Sequence, residues 1–240
     1  MDYDIKAGLS RIEERLAAAC LRSGRKREEI RLMAVSKFHP LPAVEEAFKQ
    51  GIRLFGENRV QEGTEKFAAF RETRRSGGDG RDGVEVHLVG SLQRNKAKKA
   101  AAFFDCIQSV DRDSLIDELG ALTAGREKPL MILLELHTGE ESKAGFPDTD
   151  SLYRGGEKAV SYPGLKPLGL MTMAPFSKDE KTIRSSFRRL REARDGLEKR
   201  FPLSGGWPCL SMGMSGDFEL AVEEGSTLVR IGTAIFGERG

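Results

Sequence analysis

The repeated alternation of short apolar segments with longer amphipathic segments constrains the fold of this chain most strongly. Eight short segments rich in Val, Ile, Leu, Met and Ala alternate with segments whose apolar residues recur at helical spacing. The apolar segments cover residues 32–36, 52–55, 84–89, 106–110, 130–136, 168–173, 210–212 and 228–231. Parallel strands that are buried on both faces form such continuous apolar runs. Eight βα units in a chain of 240 residues predict an α/β fold, a (β/α)8 TIM barrel.

An extra helix is predicted in front of the first strand. Apolar residues at Ile5, Leu9 and Ile12 have helical spacing within residues 4–23. We expect residues 1–240 to form a single barrel domain with this N-terminal helix attached.

An open, doubly wound sheet is the main alternative to the barrel. Such a sheet usually has fewer strands, and the sequence has no G-x-G-x-x-G motif after its first apolar segment. Residues 73–83 are rich in Gly, Arg and Asp, and this composition predicts a mobile surface loop before the third strand.

The charge balance and the cysteine content exclude several classes of function. The formal net charge is only +2, so no global basic field predicts binding to nucleic acid or to a membrane. The three cysteines, Cys20, Cys106 and Cys209, are odd in number and lack metal-ligand spacing, which favours a reducing compartment and no metal site. The sequence contains no apolar run of membrane-spanning length and no signal-peptide pattern at its start. We therefore expect a cytoplasmic protein, and we expect it to be a monomer.

Lys37 is a candidate reactive residue because it stands where the first strand stops. A lysine at the mouth of an apolar strand is partly desolvated, and desolvation favours the neutral amine. Neutral amines attack aldehydes and form Schiff bases. The alternative is that Lys37 simply reaches water.

Two loops near the C-terminus have the composition of a phosphate site. In (β/α)8 barrels, phosphate commonly binds at the loops after strands seven and eight. Here those loops, residues 211–216 and 230–233, combine glycine with hydroxyl side chains, and each opens onto a helical turn whose free N–H groups favour an anion. The alternative is that these residues only form tight turns.

A phosphate anchor opposite a strand-end lysine is explained most economically by pyridoxal 5′-phosphate (PLP). The aldehyde would bond to Lys37, the phosphate would lie in the last two loops, and Arg230 would face the pyridine nitrogen. A cationic arginine there disfavours protonation of that nitrogen and makes the ring a weaker electron sink. A barrel that binds a sugar phosphate without any covalent link remains a second interpretation.

Eight short motifs follow one another along nearly the whole chain, in the order AVSK at 34–37, FGENRVQE at 55–62, HLVGSLQRNK at 87–96, SVD at 109–111, SKAG at 142–145, GLM at 169–171, LSMGMS at 210–215 and VRIGTAIFG at 229–237. Together they resemble the motifs of one known family, the YggS/PROSC group of pyridoxal phosphate homeostasis proteins.

The resemblance implies the barrel of the alanine racemase N-terminal domain without that enzyme's second domain. It implies that Lys37 holds PLP as an internal aldimine, that Asn58 lies beside the ring or the lysine, and that Arg230 faces the ring nitrogen. It places four further residues in the phosphate cradle, namely Ser211, Ser215, Gly232 and Thr233. Family members act in vitamin B6 and amino-acid balance without established catalysis, with PLP-dependent apo-enzymes as candidate recipients.

Several residues near these motifs have an open role in the sequence. His39 follows the lysine where the family pattern differs, so what borders the lysine is left open. His87 lies within a strand and is predicted to be a hydrogen-bonded core histidine. Lys143 could bind an anion or could simply be exposed.

The alternative function is a PLP-dependent amino-acid racemase. Racemisation in this fold uses the lysine on one face of the cofactor and a tyrosine from another domain on the other. The tyrosines of this chain, Tyr3, Tyr153 and Tyr162, do not lie at predicted strand ends. This argues against the racemase.

Overall fold

A computed structural model describes residues 4–76, 83–139, 144–203 and 205–237. Eight parallel strands close into a barrel in which each strand pairs with the next along the chain and the last pairs with the first. The predicted (β/α)8 barrel is therefore confirmed. The strands are β1 (Arg31–Val35), β2 (Leu54–Glu57), β3 (Glu85–Leu88), β4 (Cys106–Val110), β5 (Leu130–Glu135), β6 (Leu165–Met171), β7 (Cys209–Ser211) and β8 (Leu228–Ile231).

Helices follow the strands and form the outer layer. The helices are α1 (Ile5–Ser23), α2 (Leu41–Lys49), α3 (Val60–Ser76), α4 (Ala97–Phe103), α5 (Asp113–Thr123), α6 (Thr149–Val160), α7 (Glu180–Arg200), α8 (Phe218–Glu223) and α9 (Thr233–Phe236). Within the described ranges, no helix has the length and apolar character that crossing a membrane requires.

The predicted N-terminal helix is confirmed as α1, and both of its ends are capped. The Asp4 carboxylate accepts a hydrogen bond from the Ala7 N–H at 2.9 Å, and Gly24 ends the helix with a φ of 67°. The buried face of α1 packs against α8 and α9. Gly8 is required at the α9 contact, because a Cβ there would lie 2.9 Å from the Ala234 carbonyl oxygen.

Strands β2 and β6 differ from the sequence-based prediction by two or three residues at their ends, the other strands differ by at most one residue, and one predicted loop also differs. Strand β2 continues to Glu57 rather than ending at Phe55, because the buried carboxylate of Glu57 has a lysine partner on α3. Strand β6 begins three residues earlier than predicted, and a register shift beside Pro167 accommodates the proline in the sheet. The prediction of a loop over 73–83 was wrong for residues 73–76, whose backbone continues α3, and residues 77–82 lie outside the described part of the chain.

Most of the apolar core lies between the barrel and the surrounding helices. A smaller set of apolar side chains fills the barrel interior, namely Met33, Val35, Leu54, Leu228, Cys106, Leu133 and Met171. Between these apolar residues the strands also carry buried polar side chains, and the arrangement of those side chains determines what the end of the barrel can bind.

Candidate functional site

A cavity of about 470 Å³ opens at the C-terminal ends of the strands, where (β/α)8 barrels carry their active sites. Six of the seven residues that the sequence predicted for a binding site line this cavity. They are Lys37, Asn58, Ser215, Arg230, Gly232 and Thr233. The seventh, Ser211, lies beneath the cavity. Residues from both ends of the chain therefore meet at one place.

The turn that carries Lys37 is held from several sides. The Ser36 N–H extends the β1–β2 ladder by donating to the Gly56 carbonyl at 3.0 Å. The Lys66 amine of α3 donates to the Ser36 carbonyl at 2.7 Å, and the Phe38 N–H donates to a carboxylate oxygen of Glu62 at 2.6 Å.

Phe38 adopts a φ of 66°, a left-handed conformation that is uncommon for a non-glycine residue and persists where surrounding contacts enforce it. Because the residues on both sides of Lys37 are fixed, the backbone holds the base of the Lys37 side chain at a defined point on the cavity wall.

Asn58 follows β2 directly and lies on the same wall as Lys37. Its backbone is in close contact with the loop that follows β3. A Cβ on Gly90 would lie 2.2 Å from the Asn58 carbonyl oxygen, so only glycine fits at position 90. The close packing of these two loops fixes the side of the cavity that borders the lysine.

The loops after β7 and β8 form the opposite wall. Ser215 and Gly216 precede α8, while Gly232 and Thr233 form the start of α9. The N–H groups of the first residues of a helical turn have no acceptor within the helix, so they are available to an anion, as are the hydroxyl groups of Ser215 and Thr233. The composition of this wall suits a phosphate group.

Arg230 lies at the floor of the cavity, with its guanidinium group held by the barrel. One terminal nitrogen donates to the Ser211 carbonyl at 2.7 Å and to the Ser211 hydroxyl at 2.8 Å. The other donates to the Thr172 carbonyl at 2.8 Å. Burial lowers the pKa of Arg230 from its usual value, with nearby acids, Asp217 first among them, acting in the opposite direction. The side chain remains a buried cation with one edge toward the cavity.

The position of Ser211 differs from that of the other predicted cradle residues. Its side chain is fully buried, and its hydroxyl donates to the Gln108 side-chain oxygen at 2.6 Å while it accepts from Arg230. Ser211 therefore contacts the arginine and not the cavity. Its place in the motif could not reveal this, because the sequence does not show whether the last residue of a short strand points into the barrel.

Glu135 is a cavity residue that the sequence reasoning missed. It ends β5, lines the cavity and is 2% exposed. Desolvation by burial, together with the charge of Asp111, raises its pKa to about 7, against the opposing effect of Arg230. A carboxyl group at the end of an otherwise apolar strand was the signal that could have identified it.

His39 connects the lysine turn to the last helical turn. It lines the cavity, and its ring stacks on Phe236 of α9 with centroids 4.9 Å apart. Three of the large apolar side chains that remain exposed lie at or beside the cavity mouth, namely Phe38, Phe176 and Met214.

Other residues singled out in the sequence lie elsewhere. His87 is buried in the barrel and hydrogen-bonded to Glu85 and Gln108, which confirms the prediction of a core histidine. Lys143 lies outside the described residues. Of the tyrosines, Tyr162 donates to the Asp117 carboxylate and Tyr153 packs beneath Arg200, and neither lines the cavity.

The fold and this site define a class of barrel proteins that position a lysine opposite two loops rich in glycine and hydroxyl groups. The family model described as alanine racemase, N-terminal domain, matches residues 9–240. The chain belongs to this family and, within it, to the pyridoxal phosphate homeostasis proteins.

Individual relatives cover nearly the whole chain. The pyridoxal phosphate homeostasis protein of Aquifex aeolicus is 38% identical over 231 residues, which is 96% of each chain. A crystal structure of a protein from Bifidobacterium adolescentis has a TM-score of 0.89 and 37% identity, and it covers 97% of this chain and 94% of its own. PipY of Synechococcus elongatus, in a structure with PLP bound, has a TM-score of 0.77 and 36% identity, and it covers 94% of this chain and all of its own.

Proposed function

We propose that this protein binds PLP through a Schiff base to Lys37 and acts in PLP homeostasis as a carrier or regulator of the cofactor. The observation that carries the proposal is the meeting of Lys37, the two glycine- and hydroxyl-containing loops and Arg230 around one cavity. Two relatives support the same function, namely the pyridoxal phosphate homeostasis protein of Aquifex aeolicus and PipY with PLP bound.

The residues that line the cavity fit PLP in their chemistry. Ser215, Gly232 and Thr233 would bind the phosphate with hydroxyl and backbone N–H donors. Lys37 would bond to the aldehyde from the opposite wall, with Asn58 beside it. Arg230 would face the ring nitrogen from the floor. Ser211 would act through Arg230 rather than through the phosphate.

The arrangement favours holding the cofactor over catalysis. Bound PLP supplies an aldehyde for an amine and a ring that can withdraw electrons. The buried cation of Arg230 disfavours protonation of a ring nitrogen beside it, and this weakens the ring as an electron sink. We therefore propose delivery to PLP-dependent apo-enzymes, by a monomer in the cytoplasm, as the protein's use of the site.

An absorption titration with PLP tests this function. The wild-type protein should develop the visible band of a protein Schiff base, and Lys37→Ala should not. Lys98→Ala, which removes an exposed lysine on α4, is the matched control and should behave as wild type. A band of equal strength in Lys37→Ala would refute the assignment of the lysine, and no band in the wild type would favour a sugar-phosphate barrel.

An amino-acid racemase is the second candidate, because the matching family model is named after alanine racemase. A racemase of this fold needs a second acid or base opposite the lysine. Neither Tyr153 nor Tyr162 lines the cavity, so the described residues offer no tyrosine for this role. Assays with L-alanine at high protein concentration should detect no turnover that depends on Lys37, and Lys37-dependent racemisation would favour the enzyme.

A further inference from the structure

Buried polar side chains form a continuous hydrogen-bonded chain through the barrel interior. At one end, Arg31 donates to a carboxylate oxygen of Glu85 at 2.5 Å, and the other oxygen of Glu85 lies 2.5 Å from Nε2 of His87. Nδ1 of His87 lies 2.7 Å from the Gln108 side-chain nitrogen. The chain continues through the Ser211 hydroxyl, 2.6 Å from the Gln108 oxygen, to Arg230 at 2.8 Å.

This hydrogen-bonded chain runs from the N-terminal ends of the strands, opposite the cavity, to the cavity floor. The side chain of Arg31 at the start of β1 is 52% exposed, whereas the three central members, His87, Gln108 and Ser211, are buried. Burial of so many polar groups is unfavourable unless each is hydrogen-bonded. Their presence between apolar neighbours calls for a role that apolar residues could not fill.

The donors and acceptors of this hydrogen-bonded chain are compatible with one arrangement, in which each group from Arg230 to His87 donates a hydrogen bond to the next. Arg230 can only donate, so the Ser211 hydroxyl accepts from it and gives its own proton to the Gln108 oxygen. The amide nitrogen of Gln108 then faces His87, whose Nδ1 must accept. Nε2 of His87 therefore carries a hydrogen and donates it to the hydrogen bond with the Glu85 carboxylate.

The ionisation of Glu85 agrees with this arrangement of donors and acceptors. Burial alone would raise its pKa, but the hydrogen bonds and the charges of His87 and Arg31 together outweigh burial and lower the pKa to about 2. An ionised carboxylate only accepts hydrogen bonds, so it fixes the donor nitrogen of His87. Because Glu85 fixes which nitrogen of His87 donates, it also fixes the orientation of the Gln108 amide and, through that amide, the orientation of the Ser211 hydroxyl.

We infer that His87, Gln108 and Ser211 are positioning residues that hold the Arg230 guanidinium in a single orientation at the cavity floor. This inference rests on the proposed function, since it assigns the chain to the residue that would face the PLP ring nitrogen. The inference gives a role to His87, which the sequence predicted only as a core histidine, and it explains why Ser211 lies below the cavity. Without the hydroxyl, Arg230 loses a side-chain acceptor but keeps the carbonyls of Ser211 and Thr172.

The first test uses the ligand-free protein. The sequence contains only three histidines, so ¹⁵N NMR of histidine-labelled protein can resolve His87, with His87→Gln assigning its signals. The expected result is a protonated Nε2 and an accepting Nδ1. Gln108→Leu and Ser211→Ala should both shift the Nδ1 resonance, although Ser211 does not touch the histidine, and Ser211→Thr should restore it. An Nδ1 chemical shift that is the same in Ser211→Ala as in the wild-type protein would overturn the inference.

The second test uses the PLP complex. Arg230→Ala should retain the covalent link but change the absorption maximum. Gln108→Leu and Ser211→Ala should shift the maximum in the same direction and weaken PLP binding about five- to tenfold, the effect of losing a hydrogen bond of ordinary strength. Ser211→Thr should again restore the wild-type values.

The outcomes separate the two proposals. Variants that keep the wild-type maximum and affinity would overturn the positioning role while leaving PLP binding intact. A wild-type protein that binds no PLP would refute the proposed function, and the NMR experiment would still decide whether the chain orders Arg230.

Discussion

Glu135 shows how a single residue can link the chemistry of the site to the stability of the fold. Its carboxyl group is buried at the cavity wall, and none of its neighbours compensates fully for the loss of water. The pKa rises from an ordinary 4.5 to about 7. A raised carboxyl pKa means that the folded state holds the proton more tightly than the unfolded state, so the ionised form is unfavourable for folding.

The first prediction concerns the pH dependence that follows from Glu135. Between pH 4.5 and 7, the folded protein retains a proton that the unfolded chain has released, so stability falls as the pH rises through this range. Glu135→Gln mimics the protonated form at every pH. It should be more stable than the wild-type protein by about 3 kcal/mol at pH 8 and nearly equal to it at pH 4.5. Chemical denaturation of the ligand-free proteins measures both differences.

Glu127→Gln, at an exposed position, is the control and should have the stability of the wild-type protein at both pH 8 and pH 4.5. A Glu135→Gln protein that is less stable than wild type at pH 8 would show that the carboxylate is paired in the folded state.

Residue-scale details were the part of the site that the sequence could not supply. The motifs placed Lys37, Arg230 and the two loops around one cavity, since residues at the C-terminal ends of barrel strands must converge. They could not show that Ser211 points into the barrel, because one residue of register decides which way a side chain faces. Glu135 differs from Ser211 in this respect, because a carboxyl group at the end of an apolar strand was a signal in the sequence.

At the scale of elements, helix α3 determines the shape of the turn that carries Lys37. The Lys66 amine lies 2.9 Å from a buried carboxylate oxygen of Glu57 and 3.1 Å from Glu62, and it also donates to the Ser36 carbonyl. The Ser36 hydroxyl donates to the same Glu57 oxygen at 2.7 Å. Burial raises the pKa of Glu57, and the charge of Lys66 opposes this effect.

The second prediction is that removal of Lys66 strongly destabilises the protein. Lys66→Met leaves Glu57 buried without its cationic partner, and loss of one member of a buried ion pair typically costs about 3–5 kcal/mol. The double variant Glu57→Gln/Lys66→Met removes both charges and should recover much of this loss. Equilibrium urea unfolding of the three proteins measures it. If Lys66→Met were as stable as wild type, the pair would not support the turn.

The third prediction concerns the contact between α1 and α9. Gly8→Val would force side-chain atoms against the carbonyl groups of Ala234 and Ile235, which lie 2.9 and 3.0 Å from even a Cβ at this position. Overpacking of this kind costs about 1–3 kcal/mol. Because α9 begins with Thr233, which we propose binds the phosphate, PLP affinity should fall as well.

Ser10→Ala, on the exposed side of α1, is the matched control and should be close to neutral. Unchanged stability and affinity in Gly8→Val would show that α1 does not restrain α9.

The boundaries of β2 and β6 show where element prediction fails. Gly56 and Glu57 read as a turn after an apolar run, but the lysine on α3 neutralises the carboxylate and the strand continues. The sixth strand was predicted to begin after Pro167, but the sheet accommodates this proline at a register shift and the strand begins at Leu165. Both outcomes depend on tertiary partners that lie elsewhere in the sequence.

At the scale of the whole molecule, the number and spacing of the apolar segments were enough to predict the barrel. When eight such strands close into a barrel, the backbone N–H and C=O groups of the first and last strands pair with each other. This closure is seen in the β1–β8 pairing. This closure places Lys37, near the start of the chain, beside loops near its end. The barrel pattern alone does not identify the cofactor, which was inferred from Lys37 and the two C-terminal loops and then supported by the resemblance to the family.

The fourth prediction follows from this joining of the two ends of the chain. PLP should stabilise the whole barrel, by about 2.7 kcal/mol at a concentration one hundred times its dissociation constant. For a chain of this size, that corresponds to a rise in Tm of about 5–10 °C. Pyridoxine 5′-phosphate, which lacks the aldehyde, should stabilise wild type and Lys37→Ala to a similar extent, whereas PLP should favour wild type. Equal stabilisation of both proteins by PLP would contradict a covalent link.

Reduction followed by peptide mapping determines whether Lys37 bonds covalently to PLP. The protein is incubated with PLP, reduced with borohydride, digested and analysed by mass spectrometry. We expect one phosphopyridoxyl group per chain, on the peptide that contains Lys37. A reduced protein with no label on Lys37, or with the label on other lysines alone, would contradict this covalent bond.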